Sequence, residues 1–167
     1  MKHTQNKRES PPPQVELRES PALIRAIATA YADEVAAVTD YTYGQILFEK
    51  WLPNVANVLE ALSRAEMHHY LALGRLLRDL GASPALHTTI TNTPYRLNED
   101  ADSHAPVLAQ RVLKDRIRDE KNAALQYKRL AENAVTERAR TLLASLAEDE
   151  ADHAAVLESI VDRLAFS

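Results

Sequence analysis

Two short segments constrain this chain more than anything else in it: Glu66-Met67-His68-His69 and Glu150-Ala151-Asp152-His153. Each is a Glu-x-x-His inside a long stretch of helical periodicity, and at 3.6 residues per turn positions i and i+3 share a face. The surrounding apolar residues identify that face. Leu59, Leu62, Glu66, His69, Leu73, Leu76 and Leu80 alternate by threes and fours, as do Leu143, Leu146, Glu150, His153, Leu157, Ile160 and Leu164, which is the seam of a bundle helix. A carboxylate and an imidazole therefore interrupt each core seam at mid-length. A carboxylate buried without a partner is costly, so these segments call for a compensating cation inside the fold or for neutralisation of the carboxylate. Imidazole with carboxylate suits iron, manganese or zinc.

Two more seams complete the pattern. The first is Ile27, Tyr31, Glu34, Val38, Tyr41, Gln45 and Phe48; the other is Leu113, Ile117, Glu120, Ala124, Tyr127, Ala131 and Ala134. Glu34 is followed seven residues later by Tyr41 and then by Glu66-x-x-His69; Glu120 is followed seven later by Tyr127 and then by Glu150-x-x-His153. The repeat predicts two helical hairpins related by a pseudo-two-fold, each offering two glutamates and one histidine. Four carboxylates and two neutral imidazoles balance two divalent ions. The alternative, a buried polar network without metal, would have to satisfy all six residues at once. Tyr41 and Tyr127 either hydrogen-bond a ligand carboxylate, act as redox-active phenols, or are core residues with a hydroxyl at the edge.

With 167 residues and three glycines, the chain reads as one all-α domain. Its net charge of −4 offers no basic field for nucleic acid. The absence of cysteine excludes disulfides, Cys-ligated zinc and a rubredoxin-type iron centre. No apolar run is long enough to span a membrane and no h-region opens the chain, so a cytoplasmic location is expected. Residues 1–19, with Pro11-Pro12-Pro13, read as a disordered tail. Residues 20–167 read as the bundle, with helices at about 21–50, 54–80, 104–134 and 137–165. Ser20-Pro21 opens the first, Gly81 closes the second, and Thr136 or a neighbour caps the fourth. Turn-rich residues 82–102, ending in the acidic Glu99-Asp100-Ala101-Asp102, suit a crossover along the bundle.

Two lone glutamates and two Glu-x-x-His segments on four helices resemble the ferritin-like di-iron and di-manganese carboxylate superfamily, particularly its bacterioferritin, rubrerythrin and manganese-catalase branches. The resemblance covers about residues 20–165 and implies a ferritin-like four-helix bundle with a long crossover between its second and third helices. It carries the family's ligand positions to Glu34, Glu66, His69, Glu120, Glu150 and His153, with Glu66 and Glu150 bridging. In the bacterioferritin pattern, the acid preceding one Glu-x-x-His holds the histidine of the other, which assigns Asp149 to His69; Ala65 stands at the matching position and leaves His153 without such a partner. Met67 stands where bacterioferritin ligates haem, yet a lone Met on a helix reads as packing, and haem is not expected. His68 reads as exposed or inter-subunit, while His87 and His104 have no assigned role. The implied activity is that of a di-metal oxidoreductase, iron ahead of manganese, acting on peroxide or O₂ as a peroxidase or ferroxidase. The alternatives are iron storage with Fe(II) as substrate and manganese-catalase-like disproportionation of peroxide. Any electron donor is external, and a homo-oligomer, dimer or larger, is expected.

Overall fold

The computed structural model describes residues 18–86 and 101–165. They form four helices, α1 (Pro21–Phe48), α2 (Pro53–Asp79), α3 (Ala101–Asn133) and α4 (Glu137–Ala165). No strand occurs among the described residues, and no helix among them is long and apolar enough to cross a membrane.

The helix ends follow local chemistry. Ser20 is the N-cap of α1, its hydroxyl accepting from Leu23 N at 3.1 Å with Pro21 at the first helical position. Gly81 ends α2 at φ 79°, where Gly81 N donates to Arg78 O and Ala82 N to Leu77 O, closing the orphan carbonyls as a Schellman turn. Thr136 caps α4 by accepting from Ala139 N.

Several boundaries differ from the sequence reading. Helix α1 stops at Phe48 rather than near residue 50, and Pro53 opens α2 instead of preceding it. A proline at the first helical position forfeits only a donor that would be orphaned anyway. Helix α3 begins at Ala101, three residues earlier than expected, with Pro106 inside it; a proline this near the start removes one intrahelical bond without breaking the helix. Glu19, assigned to the tail, is buried. Its carboxylate accepts from Val135 N at 2.9 Å, Thr136 N at 2.8 Å and the Thr136 hydroxyl at 2.7 Å, which ties the start of α1 to the α3–α4 turn. The remaining tail residues, 1–17, and crossover residues 87–100 with His87 lie outside the described residues.

Helix α1 packs along α2 and α3 along α4, and the two hairpins meet through α1–α3 and α2–α4. The core is divided. One apolar cluster includes Ile27, Tyr31, Leu73, Leu76, Leu77 and Leu143; the other includes Phe48, Leu59, Leu113, Leu157 and Ile160. In the first, Gly74 makes room for the Tyr31 ring, since a Cβ there would stand 3.0 Å from Cε2. Tyr31 in turn stacks on Tyr70 with 4.4 Å between centroids. Along each seam, the polar residues fall between these two clusters.

Candidate metal centre

That waist is where the six singled-out residues converge. Glu34 comes from α1, Glu66 and His69 from α2, Glu120 from α3, and Glu150 and His153 from α4. All are buried except His153, which is partly so. Their donor atoms fall into two groups: Glu34, Glu66, His69 and Glu150, and then Glu66, Glu120, Glu150 and His153. Within each group, one ligand atom per residue lies within 4.8 Å of all the others.

Glu66 and Glu150 belong to both groups, and each divides its two oxygens between them. His69 Nδ1 stands 3.2 Å from Glu66 Oε2, 3.1 Å from Glu150 Oε1 and 3.8 Å from Glu34 Oε2. His153 Nδ1 stands 2.9 Å from Glu66 Oε1, 3.1 Å from Glu150 Oε2 and 3.7 Å from Glu120 Oε2. The imidazole rings stack at 5.4 Å between centroids, so α2 and α4 meet through them.

The outer glutamates are held across the hairpins. Tyr127 of α3 donates its hydroxyl to Glu34 Oε1 of α1, and Tyr41 of α1 donates to Glu120 Oε1 of α3. The seven-residue spacing put each tyrosine on its own glutamate's face; the structure pairs it with the other hairpin's glutamate. Asp149 Oδ2 lies 3.3 Å from His69 Nε2, while among the described residues no carboxylate faces Nε2 of His153. His68 and Met67 are exposed on α2, and His104 is exposed on α3.

Electrostatics at the waist follow from crowding. Burial and the neighbouring Glu66 carboxylate push Glu34 up to about 10. Burial, with Glu150 and Glu66 alongside, raises Glu120 to about 7. Burial would also raise Glu66, but the His153 and His69 imidazoles beside it outweigh burial and lower the group to about 2; Glu150 is lowered by the same two imidazoles. Burial opposes charging His69, yet Glu150 and Glu66 raise it to about 10. Against the same opposition, Glu120, Glu150 and Glu66 raise His153 to about 12. Burial, then the facing glutamates, hold Tyr41 and Tyr127 well above the usual phenol value, which keeps both hydroxyls as donors. Without metal, the waist thus keeps protons on both imidazoles and Glu34 and partly on Glu120.

The residues fit a pair of divalent ions. Glu66 Oε1 and Glu150 Oε1 are buried with no hydrogen bond, although each has a histidine Nδ1 within 3.1 Å. Buried polar atoms are nearly always satisfied, and here the missing partner is one that can sit among three carboxylates and an imidazole nitrogen. Sequence reasoning did not find Glu19, nor the Asp33, Asp40, Arg116 and Asp119 side chains that border a cavity leading to the waist. None of these sits on a seam, so periodicity carried no signal for them.

Residues 25–161 match the family model described as rubrerythrin. No curated protein matches the chain. Among solved structures, it is similar to a dodecameric thioferritin, the bacterioferritin-related protein from Bacteroides fragilis, with a TM-score of 0.72 and 17% identity over 86% of each chain. At that identity, the likeness shows the fold, a ferritin-like four-helix bundle.

Proposed function

The chain belongs to the rubrerythrin family, and from that premise we propose that its waist holds two metal ions, iron ahead of manganese, and acts as an oxidoreductase on peroxide or O₂, of peroxidase or ferroxidase type. One observation carries the reading: two overlapping donor groups share Glu66 and Glu150, whose Oε1 atoms lack any hydrogen bond. Glu34 and His69 would serve one ion, Glu120 and His153 the other, and Glu66 and Glu150 would give each ion one oxygen apiece. When bound, a pair of irons supplies two electrons to a peroxide, one from each ion.

The chain's own residues prepare that chemistry. Once an ion displaces the Nδ1 proton, Asp149, accepting from Nε2–H, would hold the Nδ1 lone pair of His69 towards the waist. Tyr127 and Tyr41 each occupy one oxygen of an outer glutamate and leave the other free. The apolar clusters flank the waist on either side along the bundle. Asp149→Asn should weaken binding of the ion beside His69 by about tenfold or more while leaving the ion beside His153 in place; titration followed by elemental analysis separates the two.

Metal uptake should also expel protons. At neutral pH, His69, His153 and Glu34 hold protons that the ions must displace, and Glu120 holds part of another. Affinity therefore rises with pH from about 7 towards about 12, with roughly three to four protons released per pair of ions at neutral pH. Calorimetry in buffers of different ionisation enthalpy counts them, and a release of none would contradict the assignment.

A second reading, iron storage, is favoured by the dodecameric assembly of the structural relative. Elemental analysis of freshly purified protein, combined with light scattering on a sizing column, separates the two. About two ions per chain in a dimer or similar small oligomer, with peroxide consumed when an external reductant is present, supports the oxidoreductase. Many irons per chain in a large shell means storage. Two manganese per chain directs the assay to peroxide disproportionation. No metal bound, and none taken up, sinks the proposal.

A further inference from the structure

The wall between α1 and α3 is not closed. A cavity of about 250 Å³ runs from Asp33, Asp40 and Asp119 at its rim to Glu66 and Glu150 at the waist. Alanines such as Ala37 and Ala123 line it, so the helices approach without filling the space between them. On the opposite side, between α2 and α4, the His69 and His153 rings stack, and Asp149 lies against His69 Nε2.

Arg116 stands across the open side. It sits one turn before Glu120 on α3, pairs with Asp40 of α1, and reaches Asp119 through Nη2 at 3.1 Å. It is the only cationic side chain among the described residues lining the cavity. At the floor, Glu66 and Glu150 are each 1% exposed, and their Oε1 atoms have no hydrogen bond.

We infer that the α1–α3 cavity is the route by which divalent cations reach the waist, and that the Arg116–Asp40 ion pair is its gate. An approaching cation is drawn by the rim carboxylates, then opposed by the guanidinium. Passage requires Arg116 to move off Asp40, whose carboxylate then faces the ion. The inference rests on the reading of the waist as a metal centre.

The test follows Co(II) uptake by the metal-free full chain in a stopped-flow instrument, using the visible bands of the bound ion and the final stoichiometry. Arg116→Ala should speed uptake about tenfold, and Ala123→Met, which narrows the cavity, should slow it several-fold, both ending at the wild-type stoichiometry. Arg64→Ala, an exposed charge that pairs with Glu60 on α2 and does not line the cavity, should load at the wild-type rate. If Arg116→Ala does not fold, Arg116→Gln and Ala123→Met decide the question. Two Co(II) ions taken up at unchanged rates by the gate and cavity variants would overturn the route alone. A wild-type chain that takes up no Co(II) would overturn the metal centre beneath it.

Discussion

Stripping the metal from this protein should lower its melting temperature by 15 °C or more while leaving it folded. Each ion bound to the native state at about a thousand times its dissociation constant adds about 4 kcal/mol. For a domain of this size, each kcal/mol corresponds to roughly 2–4 °C, so two ions give a shift on the order of 15–30 °C. The metal-free chain survives because protons substitute in part for the ions, with His69 and His153 raised to about 10 and 12 beside the ionised Glu66 and Glu150. Those raised values contribute stability that is complete below the unfolded histidine value and is lost progressively as pH rises from there through the folded ones. The fold therefore should not collapse at neutral pH on chelation. Differential scanning calorimetry with and without chelator measures the shift, and coincident melts would refute metal binding at the waist.

Glu66→Gln should abolish binding of both ions, whereas Glu34→Gln should spare one. Glu66 gives one oxygen to each donor group, while Glu34 belongs to one group only. Removing a shared ligand should therefore exceed the roughly 10- to 100-fold loss typical of an outer partner at both positions. The same variants should differ without metal. Glu34 is held protonated by burial and Glu66, so glutamine, close in shape to the neutral acid, should change metal-free stability little. Glu66 is ionised against two imidazoles, and its loss leaves buried charge less well paired. Metal stoichiometry gives the first comparison and urea denaturation of metal-free protein the second. Equal effects of the two variants on both readouts would refute the shared role of Glu66.

Local pattern was enough for much of this molecule. Apolar spacing of three and four identified the inward face of each helix, and the same seams carried Glu34, Glu66, His69, Glu120, Glu150 and His153 to a common level. Ser20 and Gly81 marked helix ends because capping is decided within a few residues. What stayed hidden depends on how two hairpins are rotated and staggered against each other, which no local period encodes. That register decided that Tyr41 bonds Glu120 and Tyr127 bonds Glu34, rather than each serving its own hairpin. It decided that Glu66 and Glu150 split their oxygens between the two histidines. It also brought Glu19 onto the α3–α4 turn and Arg116 across the α1–α3 gap to Asp40, since a polar side chain off the seam finds its partner only once the helices have docked.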